Sequence, residues 1–285
     1  MAATVFAPAK INLTLHVGAR RADGYHELES LVAFADVGDE LHLSEAGGLA
    51  LDVKGPFAGA LAREKDNLVL RAARALAAHA GIASGARMTL TKNLPVASGL
   101  GGGSADAAAA LRGLAKLWNL DITGAVLAEI AYGLGADVPA CLAGVPVHME
   151  GIGERLTQIA DLPPLDLLLV NPGVEVSTEE VFARLDRRSG TGRKLPHFPT
   201  KDSLIGYLDR SYNDLEKPAG EIAPIIREAI ATICDHETAL VTRMSGSGAT
   251  CFGIFDNADT ASHVAGKIAA AHPGWWVRVA KTLQS

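Results

Sequence analysis

Residues 4–6 and 11–17 read as strands, and in the second apolar and polar residues alternate, Ile11, Leu13, Leu15 and Val17 standing against Asn12, Thr14 and His16. That period of two predicts one buried and one polar face for the second strand. Lys10 and Asn12, two positions apart, project from the same side. Residues 28–36 and 40–44 read as further strands. Helical spacing takes over at 68–80, where Leu68, Ala72, Ala75, Leu76 and His79 share a face, Asp66 and Asn67 offer a cap and Gly81 a stop. An alternating run at 88–92, a glycine cluster and an alanine-rich helical run at 107–118 follow. A third helix, 124–134, stops at Gly133 and Gly135. Pro139 cannot prolong it, because proline lacks an N–H and steers Val138 out of the α region, so Asp137 sits on a stiff turn.

The second half begins with a predicted hairpin, 145–150 and 151–156, and a stretch at 160–164 whose two prolines suggest a boundary between lobes. Residues 166–170 are continuously apolar, the pattern of a strand buried on both faces. Helices are expected at 178–185, 203–208, 223–234 and 260–271, and strands at 239–244, 251–255 and 276–280. Helices and strands interleave without strict alternation and without an internal repeat, so each lobe reads as α+β, with domains at 1–160 and 161–285.

Composition narrows the function classes. In 285 residues, 48% are hydrophobic and 20% charged, enough for a sizeable core. The net charge of −6, scattered basic residues and 5% aromatics argue against a nucleic-acid groove or an anionic-membrane surface, leaving small ligands as partners. No leader-like or bilayer-spanning run is evident, so a cytoplasmic protein is expected. Cys141, Cys234 and Cys251 are too few and too widely spaced for a disulfide framework or a metal motif; each is expected to be a buried small hydrophobe.

The candidate chemistry lies at Leu94-Pro-Val-Ala-Ser-Gly-Leu-Gly-Gly-Gly-Ser-Ala-Asp106. Gly99, Gly101, Gly102 and Gly103 can take positive φ and turn consecutive N–H groups around one anion, and the helix start behind them adds its own unpaired N–H groups and dipole. Ser104 and Asp106 lie in that first turn, placed to cap the helix or to hold a magnesium ion bridging phosphates. The run is neither a P-loop, since no lysine follows Gly103, nor a dinucleotide fingerprint, since Ser104 stands where a third glycine is needed. A second cluster, Met244-Ser-Gly-Ser-Gly-Ala-Thr250, also has the composition of a hairpin turn. Taken alone, Lys10 reads as a strand-edge lysine, Asp137 as a turn former, Asn67 as a cap and Lys92 as a strand-end charge.

The first glycine run resembles the P-x-x-x-G-L-G-G/S-S-S/A motif of the GHMP kinases, and four further segments resemble the same superfamily in the same order: Ala7-Pro-Ala-Lys10-Ile-Asn12 with Arg20-Arg21-x-Asp-Gly-Tyr25-His26, Gly135-Ala-Asp137-Val-Pro139, Tyr212-Asn213-Asp-Leu-Glu216 and the second glycine cluster. The likeness spans essentially the whole chain. It implies an α+β, two-lobed GHMP kinase fold, with a ribosomal-protein-S5-domain-2-like N-terminal lobe and a ferredoxin-like C-terminal lobe. It also implies a cytoplasmic transferase with ATP as co-substrate and Mg2+, from the branch that phosphorylates methylerythritol carried on a cytidine diphosphate in non-mevalonate isoprenoid synthesis. The implied catalytic residues are Lys10, as charge, and Asp137, as proton acceptor. Asn67, Lys92, Pro95, Gly99, Leu100, Gly101, Gly102, Gly103, Ser104 and Asp106 are implied for ATP, with Ser104 or Asp106 as possible metal ligands. Asn12, Tyr25, His26, Phe182, Gly246, Ser247 and Gly248 are implied for the phosphoryl acceptor, Tyr25 and Phe182 stacking on its base and His26 reading the base edge.

Overall fold

The computed structural model describes residues 2–62, 66–83, 85–186, 188–236 and 238–284. In chain order, β1 (Ala2–Asn12), β2 (His16–Arg20), β3 (His26–Ala46) and β4 (Leu49–Lys54) precede α1 (Ala58–Leu61), α2 (Leu68–Ala80) and β5 (Gly85–Thr91). Next come α3 (Gly102–Leu117), α4 (Gly124–Leu134), α5 (Val138–Ala143), β6 (Val147–Gly151), β7 (Arg155–Gln158) and β8 (Asp166–Asn171). The chain ends with α6 (Thr178–Ala183), α7 (Lys201–Asp209), α8 (Glu216–Ile222), α9 (Ile225–Cys234), β9 (Val241–Met244), β10 (Cys251–Phe255), α10 (Ala258–Ala271) and β11 (Trp276–Lys281).

Two compact units result: Met1–Ala9, Gly38–Val96 and Gly101–Gly144 form the first, and Lys10–Val37, Ala97–Leu100 and Val145–Ser285 the second. In the first, β5 pairs antiparallel with Glu40–Ala46 of β3 and parallel with β4, while α2 packs on α3. Ala105 and Ala107–Ala110 are all buried, so α3 approaches its neighbours on small side chains. At Gly113 a Cβ would run into the Leu43 side chain, which would have to move to admit it. Asn67 starts α2 by accepting a hydrogen bond from Val69 N–H at 2.9 Å, and Gly81, at φ +63°, ends it in the left-handed conformation.

The second unit is built on an antiparallel sheet in the order β11-β8-β10-β9. With its intervening helices, β8 to β11 trace the split β-α-β-β-α-β arrangement of a ferredoxin-like lobe. Leu167 to Val170 of β8 are wholly buried, as their unbroken apolar run requires, and Leu168 and Val170 pack with Ile226, Ile233, Val264 and Ile268 from α9 and α10. In the same unit Leu28–Val32 of β3 pairs with β6, which forms a hairpin with β7. Both units mix helices with strands, so the class is α+β.

Several sequence expectations are corrected. The run 11–17 is not one strand: it breaks after Asn12, where Leu13 and Thr14 N–H both turn to Leu31 O, at 2.8 and 3.4 Å. Its polar face is buried too, Asn12, Thr14 and His16 being at most 1% exposed. Residues 28–36 and 40–44 fuse into the single β3. Asp137 leads directly into α5, where Pro139 lies in the first turn and forfeits no ladder bond. β4 and α1 were not expected, nor was α8, whose Pro218 and Gly220 read as breakers. Cys141 and Cys251 are buried as expected, but Cys234, at the end of α9, is exposed.

Candidate active site

The first glycine cluster is divided by the chain: Leu94–Val96 and Gly101–Gly103 belong to the first unit, Ala97–Leu100 to the second. In the first unit, Gly101 caps α3 at φ +61° with no side chain closing the helix start. The first helical bond runs from Ala105 N–H to Gly101 O, at 2.8 Å, so the N–H groups of Gly102, Gly103 and Ser104 precede the ladder. Lys92 lies beneath them. Its buried Nζ donates to Asp39 Oδ2 at 2.5 Å and to Asp106 Oδ2 at 2.7 Å, and a Cβ on Gly102 would lie 3.0 Å from it. Asp39 Oδ1 in turn accepts from the N–H groups of Asn93 and Leu94, at 2.6 and 2.9 Å, fixing the entry to the loop.

One lysine thus serves two carboxylates in a buried site. Burial works against the Lys92 ammonium, but the charges of Asp106 and Asp39 outweigh it and raise its pKa. Burial also pushes Asp106 up to about 7, with the Asp39 charge adding to the rise and Lys92 opposing it. Asp106 Oδ1 has no hydrogen-bond partner among the described residues. Ser104 is half-buried beside the helix start, Pro95 is buried, and Asn67 serves as the cap of α2. Asp137, half-buried at the N-cap of α5, also belongs to this unit, and Lys10 to the other.

In the second unit the two glycine clusters meet. Gly99, at φ +76°, lies so close to the second loop that a Cβ would collide with Ser245 O. Ser245 Oγ donates to Gly99 O at 3.0 Å and accepts from Asn12 N–H at 3.1 Å, while Thr250 N–H donates to Ser98 O at 3.0 Å. Lys10, 3% exposed, is tied through its N–H to the O of the wholly buried Leu100, at 2.9 Å. Gly246 and Gly248 take φ of +57° and +91°, and the Ser247 hydroxyl lies 2.7 Å from that of Thr178. Asn12 Nδ2 donates to Ser30 Oγ at 2.8 Å, and its buried Oδ1 has no hydrogen-bond partner among the described residues.

Elsewhere in this unit the His26 ring stacks on Phe182, with centroids 5.3 Å apart at 20°, and its buried Nε2 has no hydrogen-bond partner among the described residues. Burial, followed by the charges of Arg188 and Arg20, lowers the His26 pKa, so the ring is neutral at pH 7 and can accept as well as donate. Tyr25 is 60% exposed. Ser189, His16 and Asp214 also cluster, but the Ser189 hydroxyl donates to Asp214 at 2.7 Å while lying 2.8 Å from His16 Nδ1. The serine is the middle link, so this is a structural relay without an activated nucleophile.

Sequence reasoning missed Asp39, Ser98, Ser245, Asn213 and Glu216. Ser245 lies inside the second glycine cluster and Asn213 and Glu216 inside the 212–216 motif, so the sequence pattern marks each without giving it a role. Asp39 carries no local signal: only the fold brings it to Lys92, 53 residues away. Among the described residues no group of three or more His, Cys, Asp or Glu side chains could hold a metal ion by itself, and no helix is long and apolar enough to cross a membrane.

Residues 67–145 match the GHMP kinases N terminal domain and residues 201–274 the GHMP kinases C terminal. The chain is 51% identical over 280 residues to the 4-diphosphocytidyl-2-C-methyl-D-erythritol kinase of Parvibaculum lavamentivorans, covering 97% of each chain. It is 52% identical over 281 residues to the kinase of that name from Cereibacter sphaeroides, covering 97% of this chain and 98% of that one. A crystal structure of 4-(cytidine 5'-diphospho)-2C-methyl-D-erythritol kinase superposes with a TM-score of 0.80 at 34% identity, covering 98% of this chain and 99% of that one. Homoserine kinase from Cytophaga hutchinsonii, 19% identical with a TM-score of 0.72 and covering 99% and 95% of the two chains, shares the fold. With both halves matching GHMP kinase domains and half of all residues identical along nearly the whole length, the chain belongs to the 4-diphosphocytidyl-2-C-methyl-D-erythritol kinases of the GHMP kinase superfamily.

Proposed function

We propose that this kinase transfers the γ-phosphoryl group of ATP to the 2-hydroxyl of 4-diphosphocytidyl-2-C-methyl-D-erythritol, in the cytoplasm, as a step of isoprenoid precursor synthesis that bypasses mevalonate. The observation that carries the phosphoryl-transfer reading is the start of α3, where three N–H groups precede the helical ladder and no side chain caps them. The transition state is loose and anionic, so it needs positioning and positive charge, with modest help in removing the hydroxyl proton. In this reading Lys10 supplies charge and Asp137 accepts the proton. Asn12 offers the acceptor its Oδ1, which has no hydrogen-bond partner among the described residues, and Gly246 to Gly248 line it. Tyr25 and Phe182 hold the base by their faces, and His26 reads its edge through the unpartnered Nε2.

Magnesium fits this reading through the unpartnered Asp106 Oδ1 and the half-buried Ser104 hydroxyl, the two oxygens that would hold it. When bound with ATP it would neutralise phosphate charge.

Phosphorus NMR of the protein with ATP, magnesium and a panel of alcohols tests the assignment. A new phosphomonoester signal is expected with the cytidyl diphosphate of methylerythritol and none with mevalonate, homoserine or galactose. The opposite pattern overturns it.

A further inference from the structure

The segment Tyr212–Glu216 carries one of the motifs shared with the GHMP kinases, yet none of its residues is among those proposed to bind ATP or the phosphoryl acceptor. Two of its side chains, Asn213 and Glu216, converge on the main chain of the second glycine loop. Asn213, 5% exposed, donates from Nδ2 to Met244 O at 2.9 Å and to Gly246 O at 2.7 Å. Its Oδ1 accepts from Leu215 N–H at 2.9 Å, which locks the amide orientation and commits both functions of the side chain. Glu216 Oε2 accepts from Met244 N–H at 2.9 Å. Met244, the last residue of β9, therefore has both its backbone groups held by this segment, and Gly246, at φ +57°, has its carbonyl held as well.

The segment is itself fixed. Leu15 N–H donates to Tyr212 O at 3.0 Å and Asp214 N–H to Leu15 O at 2.9 Å, while Asp214 Oδ2 accepts from Val17 N–H at 2.7 Å. Ser245 bonds Asn12 and Gly99, so the loop is gripped between two sets of partners.

We propose that Asn213 and Glu216 are positioning residues for the phosphoryl acceptor: they hold Ser245–Gly248 in the conformation that lines the acceptor, without touching it. This rests on the reading of the second glycine loop as part of the acceptor site. The bonds from Thr250 to Ser98 and from Lys10 to Leu100 do not pass through Asn213, so the first glycine loop keeps these anchors when Asn213 is changed.

Asn213→Asp is the sharpest variant, because it keeps the acceptor for Leu215 N–H and removes both donors. Its acceptor KM should rise roughly tenfold or more, the loss expected from two hydrogen bonds, with a lower kcat and an ATP dissociation constant within about threefold. Hydrogen exchange of the 244–250 amides should quicken. Glu216→Ala should behave likewise and carries the test if Asn213→Asp fails to fold, whereas Glu216→Gln, which still offers an oxygen to Met244 N–H, should restore near-normal kinetics. Gly246→Ala changes the loop directly. If it raises the acceptor KM while Asn213→Asp and Glu216→Ala only lower the melting temperature, the positioning role is overturned. If Gly246→Ala also leaves the acceptor kinetics unchanged, the loop is no acceptor site and the inference falls with that reading.

Discussion

Asp137 stands half-buried at the N-cap of α5, and Pro139 in the first turn restricts the backbone that presents it. In its proposed role of proton acceptor it should be needed for kcat far more than for binding, so Asp137→Asn should lower kcat by roughly 100-fold or more with a smaller change in KM. Near-normal turnover would return it to the part of a turn residue. The base end of the acceptor gives a second test at this scale. Stacking on an aromatic face is worth about 1–3 kcal/mol per base, so Tyr25→Ala should raise the acceptor KM roughly tenfold to a hundredfold while Tyr25→Phe, which keeps the face, costs little. His26→Ala should instead erode discrimination between cytidyl and uridyl analogues, because edge contacts carry base identity. A rise confined to the KM for ATP in Tyr25→Ala would move this pair to the adenine end. What the sequence offered here was identity without circumstance. Tyr25, His26 and Phe182 were named, but the stack of His26 on Phe182 joins residues 156 apart and has no local signature.

At the scale of elements, α3 shows why glycine is needed where it is. Gly102 sits over Lys92, and a Cβ there would lie 3.0 Å from Nζ, so a β-branched side chain crowds the ammonium that holds the two carboxylates. Gly102→Val should therefore abolish ATP binding by calorimetry; unchanged binding would make the loop a mere connection. Lys92→Met should cost stability as well, by about 3–5 kcal/mol, because it strands two buried carboxylates without their cation. A denaturation midpoint equal to that of the parent protein would show that the triad contributes little. Elements with strong periodicity were legible: α2, β8 and α10 follow directly from the spacing and run of their apolar residues. Those settled by tertiary contacts were not. The break after Asn12 is imposed by Leu31, and α8 forms across Pro218 because a proline in the first turn loses nothing.

For the whole molecule, the α+β class could be read from the order of apolar patterns, whereas the passage of the chain between its two units inside β1 and β3 could not, since nothing in a strand's own periodicity marks a change of neighbours. The buried triad in the first unit links this architecture to solution conditions through one proton. Burial holds the Asp106 carboxyl up at about 7, against an ordinary value of 3.8. Below the ordinary value both folded and unfolded chains carry the proton and pH has no leverage. Between the two values the folded chain keeps a proton that the unfolded chain has released, so stability falls as pH rises, and above about 7 the loss is complete and constant. Asp106→Asn has no proton to lose at that site and should lack this term. The measurement is the urea midpoint of parent and variant from pH 5 to 8: the parent should lose ground against Asp106→Asn as pH climbs to 7 and hold level beyond it. A difference that stays constant across the range would mean that Asp106 is ionised throughout, with the Lys92 ammonium outweighing burial and the charge of Asp39.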